Sequence, residues 1–164
     1  EKVVTIDPKA RYEYSTMLRR WNPAKLSELS GQFQSLPDEQ KQQAAPVIAY
    51  AVSGLDYNPP LVGEAIRYLL TRPAETPLVD PDEPTPPKIP WLRNASSYAG
   101  NLAVTEPETA RDWVQTLPEG QPKLWAQWNV LSIWTQYDPT AADQWFKSLP
   151  ANVQRGIEQI RSKK

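Results

Sequence analysis

Eighteen prolines in 164 residues rule out most folds. Inside a helix, proline costs about 3 kcal/mol, and in a central strand it removes a ladder hydrogen bond. The positions of these prolines decide what remains. Pro107 and Pro139 are 32 residues apart, and so are Pro118 and Pro150. Their neighbours match at the same offset: Glu106-Pro107, Ala110, Trp113 and Leu117-Pro118 align with Asp138-Pro139, Ala142, Trp145 and Leu149-Pro150. An internal period of this size is the mark of stacked repeat units.

The unit reads acidic-Pro-x-x-Ala-x-x-Trp-x-x-x-Leu-Pro. An acidic or Asn residue before Pro supplies a cap, and Pro takes the first helical position, where its missing N–H has no intrahelical partner to lose. Ala110, Trp113 and Leu117 then share one face of a short helix, as do Ala142, Trp145 and Leu149. Leu-Pro closes it, because the residue before proline avoids the α region. A longer helix is expected next, over about 121–136.

The same grammar runs through the first half. Asn22-Pro23 opens a segment carrying Leu26, Leu29 and Phe33, and Leu36-Pro37 closes it. A helix over about 38–56 follows, with Pro46 predicting a kink or a late start. Asn58-Pro59-Pro60 opens another short helix with Ala65, Ile66, Leu69 and Leu70, closed by Arg72-Pro73. A helix over about 9–20 precedes Trp21-Asn22-Pro23. Residues 73–90 break the pattern: they hold seven of the eighteen prolines and four acidic residues against one Lys. This stretch reads as an extended polyproline-type loop before a long helix over about 91–105.

The expected fold is therefore all-α: a single helical-repeat domain over 1–164, a right-handed α-α superhelix of about seven helices in four short/long hairpins. The units fall at about 22–57, 58–105 with the Pro-rich insertion at 73–90, 106–137 and 138–164. On these motifs the chain resembles the tetratricopeptide-like helical repeats of large bacterial secreted or envelope proteins, well over 106–164 and more loosely over 22–72. The small-residue and Tyr pattern of ordinary tetratricopeptide repeats is not met. The resemblance implies a solenoid with a role in protein contacts, and it brings no catalytic residues. With it comes a preference for a periplasmic, envelope or secreted setting. The start at Glu1, without Met, is the start expected of a processed product.

Composition narrows the chemistry. The chain has no Cys and no His, which removes disulfides, thiolate zinc sites, Cys nucleophiles and every Ser-His or Cys-His arrangement. No cofactor and no metal are expected. A net charge of −1 supplies no positive field for nucleic acid, and no apolar run approaches the roughly 20 residues of a membrane span. What this leaves is a non-catalytic partner of another protein or a scaffold.

Six of the seven tryptophans lie between 91 and 145. Trp113 and Trp145 occupy the core-facing repeat position. Trp125, Trp128 and Trp134 span more than one stripe of a helix that also carries Leu124, Val130, Leu131 and Ile133, so at least one is a candidate for the surface. Together with Trp91 and with Pro84, Pro86 and Pro87 of the Pro-rich loop, they form the candidate interaction surface. An aromatic-lined groove would suit a glycan. The alternatives to a protein-binding module are therefore a carbohydrate-binding or cell-wall-processing helical domain, with Glu13, Glu64 or Glu108 as the acid of a hydrolase, and a structural spacer within a larger assembly. Asp38, Glu39 and Asp138 stand at helix starts and read as caps. Arg155, Arg161, Lys163 and Lys164 suit the negative end of the last helix. Asn94-Ala95-Ser96 fits the glycosylation sequon but falls on an expected helix.

Overall fold

The computed structural model describes residues 23–50, 60–71 and 90–162, the side chains of 23–27, 47, 50 and 90–92 excepted. The expected helix over 9–20, the end of the expected 38–56 helix and the body of the Pro-rich insertion lie outside these residues.

All regular structure among the described residues is helical. The eight helices are α1 (Pro23–Ser35), α2 (Asp38–Tyr50), α3 (Pro60–Leu70), α4 (Pro90–Thr105), α5 (Pro107–Gln115), α6 (Gln121–Tyr137), α7 (Pro139–Ser148) and α8 (Ala151–Ser162). The boundaries follow the prolines: Pro23, Pro60, Pro90, Pro107 and Pro139 each open a helix. That is where a missing N–H is harmless. The described residues alone thus hold eight helices, more than the seven or so expected of the chain. Pro46 lies inside α2, which begins at Asp38, so the late start expected there does not occur. At the start of α7 the Asp138 carboxylate accepts a hydrogen bond from the Ala141 N–H at 3.0 Å. The corresponding Glu106 makes no side-chain cap to α5, because its extra methylene carries the carboxylate past the N–H groups it would need to meet.

The longer helices pack side by side in chain order, α2 on α4, α4 on α6 and α6 on α8. The shorter α5 and α7 both lie against α6. With α4, α5, α7 and α8 around it, α6 has little free face. This explains why it is apolar nearly all round, with Ala126, Val130 and Leu131 each 0% exposed.

Most repeat residues meet their expectation: Trp145 is buried, while Trp113 is half-buried against the core. Ala110, Ala142, Leu117 and Leu149 are buried. Each short-helix tryptophan packs on an aromatic of the long helix before it. Trp113 meets Tyr98 with ring centroids 4.7 Å apart, and Trp145 meets Trp134 at 6.0 Å. Such pairs add about 0.5–1.5 kcal/mol beyond their burial.

Carboxamides tie the long helices together. Asn94 of α4 donates to the Ala49 carbonyl of α2 at 2.6 Å, so the sequon asparagine is committed to packing. Asn129 of α6 donates to the Ser96 carbonyl of α4 at 2.8 Å. In return, the Ser96 hydroxyl donates to the Trp125 carbonyl at 3.2 Å. The Asn129 carboxamide lies where a side chain at Gly100 would begin: a Cβ there would stand 2.9 Å from Asn129 Cγ. Only glycine lets α4 and α6 approach with this bond in place. Nearer the N-terminus, the Tyr68 hydroxyl of α3 donates to Asp38 Oδ1 of α2 at 2.6 Å. Asp38, which stands in the first turn of α2 as expected, therefore also ties two helices together.

Candidate functional site

Among the described residues, two concavities lie between neighbouring helices. The larger, about 540 Å³, is enclosed by the start of α6 and one face of α8. It begins at the turn after Leu117-Pro118. There Gly120 adopts φ 137°, a backbone conformation that favours glycine. As the N-cap of α6, Gly120 has no side chain to offer, and α6 starts without a side-chain cap. The start of this 17-residue helix, Gln121 and Leu124, lines the cavity.

Further along α6, Gln127 lines the same cavity. It is only 4% exposed, and its carboxamide bonds to no described residue. Gln121, also buried, lies beside it. From α8 come Asn152, Arg155 and Gln159, spaced i, i+3 and i+7 on one helical face. Arg155 forms no ion pair among the described residues. The one carboxylate at the rim, Glu119, is held by Lys123 Nζ at 2.6 Å. Charge at the cavity therefore tilts positive, and its wall is rich in carboxamides. Each carboxamide offers both a donor and an acceptor, the pair that a peptide group presents in return.

The second concavity, about 430 Å³, lies between α5 and α7, with Trp134 and Trp145 among its lining residues. Glu108 and Asp112 stand on its α5 side, and Asp112 accepts from Arg111 Nε at 2.8 Å. Trp145 is 5% exposed. Its Nε1–H is buried without an acceptor among the described residues, as are those of Trp113 and Trp125.

The residues singled out from the sequence are distributed differently from an aromatic groove. Trp128 and Trp134 are 8% and 3% exposed and belong to the core, because α6 is enclosed by four neighbours. Trp125 is half-buried and packs edge-on to Trp128 with centroids 5.5 Å apart. Pro84, Pro86, Pro87 and the side chain of Trp91 lie outside the described residues. Of the hydrolase candidates, Glu64 pairs with Arg67 of its own helix, Glu108 is exposed, and Glu13 lies outside the described residues. Among the last basic residues, Arg161 covers the Phe146 ring at 5.1 Å, while Lys163 and Lys164 lie outside. Tyr98 has its phenol pushed well above its ordinary range by burial, with Glu64 and Glu106 adding to the effect.

Gln121, Gln127, Asn152 and Gln159 were not anticipated. The available signal was Gln127 in the middle of a helix that is apolar nearly all round. Among the described residues no three carboxylates group where a metal ion could sit, and no helix is long and apolar enough to cross a membrane. No family model, curated protein or solved structure matches the chain.

Proposed function

We propose that the chain is a non-catalytic protein-interaction module, a tetratricopeptide-like superhelix of short/long hairpins that receives a segment of another protein between successive units. The observation that carries this reading is Gln127. This side chain, 4% exposed, lines a cavity of about 540 Å³ beside Asn152, Gln159 and Arg155, and its carboxamide offers both a donor and an acceptor there. A ligand seated there can exchange the water on these polar groups for its own donors and acceptors. Stacking of α2, α4, α6 and α8 supplies the frame, as in solenoids whose units contact only their neighbours. The burial of Trp128 and Trp134 removes two of the tryptophans that an aromatic groove for sugar would use, which favours the protein-binding reading over that one.

The test fills the cavity without regard to ligand chemistry. Asn152 and Gln159 are exposed, so Asn152→Tyr with Gln159→Tyr should leave the fold intact, as circular dichroism would verify. Tagged chain is used to capture protein from an extract of the cells that make it. A partner held by the parent chain and by a Glu158→Tyr control should fall at least tenfold with the double variant. Equal recovery by all three chains would refute a partner seated at this groove.

A further inference from the structure

We propose that the last hairpin, α7 with α8, swings as one body against α4, α5 and α6, with its pivot at Asp138. The swing opens and closes the two concavities that flank the hairpin.

Directional bonds hold each side of this seam together. On one side, Asn129 and Ser96 tie α6 to α4, and Lys123 Nζ of α6 donates to the Gln115 carbonyl of α5 at 3.3 Å. On the other, Gln154 of α8 donates to the Leu149 carbonyl at 2.7 Å, just past the end of α7. Arg161 of α8 covers the Phe146 ring of α7. Across the seam the pattern stops. Beyond the junction at Asp138, no hydrogen bond or ion pair joins α7 or α8 to the earlier helices among the described residues.

Apolar packing joins the two sides instead. Trp145 lies on Trp134 with ring centroids 6.0 Å apart, and its Nε1–H finds no acceptor there. Where α8 meets α6, Gly156 faces Leu124, whose Cδ2 would stand 3.0 Å from an added Cβ. A glycine presents a flat surface with no knob to lock the two helices. Attraction of this kind is non-directional, and packed helices slide on one another in shear motions.

The junction permits the swing. Asp138 alone separates α6 from α7. The bond on the α6 side ends at its N–H, which donates to the Trp134 carbonyl at 2.8 Å. Those on the α7 side start from its carbonyl, which accepts from Ala142, and from its carboxylate, which accepts from Ala141. Rotation about the Asp138 N–Cα bond therefore breaks none of them. Room is available where displacement is largest. The cavity of about 540 Å³ lies at the start of α6, and the 17 residues of that helix set it about 25 Å from the pivot. The concavity of about 430 Å³ separates α7 from α5. The motion is a property of the fold, and it stands whether or not the groove between α6 and α8 seats a partner.

The chain has no Cys, so pairs of cysteines introduced at exposed positions can carry spin labels alone. Double electron–electron resonance then reads three distances. Arg93→Cys with Glu158→Cys spans the seam. Arg93→Cys with Gln136→Cys lies within α4 and α6, and Ser148→Cys with Ser162→Cys lies within the hairpin. Circular dichroism verifies that each labelled chain keeps its helices. The distribution across the seam should be at least twice as wide as either of the others. Equal widths for all three pairs would show a hairpin fixed in place and overturn the proposal. A broad distribution within the hairpin, or between α4 and α6, would overturn it as well, since the parts on either side of the seam would not move as bodies.

Discussion

Replacing Gly100 with Ala sets two effects of known sign against each other. A glycine in mid-helix costs about 0.5–1 kcal/mol relative to Ala, so propensity alone makes Gly100→Ala stabilising. The structure opposes this. The new methyl would stand 2.9 Å from Asn129 Cγ and 3.2 Å from Ile133 Cδ1, closer than van der Waals contact allows. Asn129 must move, which breaks its bond to the Ser96 carbonyl at 2.8 Å, worth about 1 kcal/mol. Overpacking between α4 and α6 adds about 1–3 kcal/mol. The net expectation is a loss of about 1–3 kcal/mol in the parent chain.

In an Asn129→Ala background the obstructing carboxamide is gone, and the bond with it. The remaining neighbour is the flexible end of Ile133. Gly100→Ala should then stabilise, by up to about 1 kcal/mol. Urea unfolding of the four chains closes a double-mutant cycle, with an expected coupling of about 2–3 kcal/mol. The same effect of Gly100→Ala in both backgrounds, whatever its sign, would show that the Asn129 contact does not set the distance between α4 and α6.

Other outcomes follow from single residues. Asp138→Ala should cost about 1 kcal/mol through loss of the α7 cap, while Glu106→Ala, which removes no cap, should stay within about 0.5 kcal/mol; urea midpoints compare the two. Leu131→Ala empties a site that is 0% exposed and should cost about 2–5 kcal/mol by the same measurement. Tyr98 gives a pH dependence. Its folded pKa lies above the ordinary 10.0, so the native state keeps a proton that the unfolded chain gives up. The contribution is whole below about pH 10 and is lost as pH rises beyond it. Tyr98→Phe should therefore flatten the fall in stability between about pH 9 and pH 11, and an unchanged slope would contradict the burial argument.

The boundaries of the helices were legible because proline acts locally. Pro107 and Pro139 open α5 and α7 by a rule that concerns only the residues beside them. The buried face of the unit was equally legible, since Ala110, Trp113 and Leu117 repeat at helical spacing in Ala142, Trp145 and Leu149. What was hidden depends on pairs of residues distant in the chain. Gly100 has meaning only against Asn129, and Asp38 only against Tyr68. Periodicity also fails on α6. A helix apolar nearly all round does not reveal which side remains open, so Trp128 and Trp134 could be taken for surface when they are core. The same enclosure hid the site. Gln127 reads as an ordinary polar residue of a helix until α8 places Asn152, Arg155 and Gln159 across from it.

The central claim is that the chain is an array of interchangeable short/long units, each packing its long helix on the one before. Inserting a second copy of residues 106–137 directly after residue 137 tests this most directly, because an array accepts one more unit where a closed fold does not. The account predicts a monomer that unfolds cooperatively, with ellipticity per residue at least equal to that of the parent and a urea midpoint no lower. A chain that aggregates, or that loses helicity per residue and melts early, would contradict it.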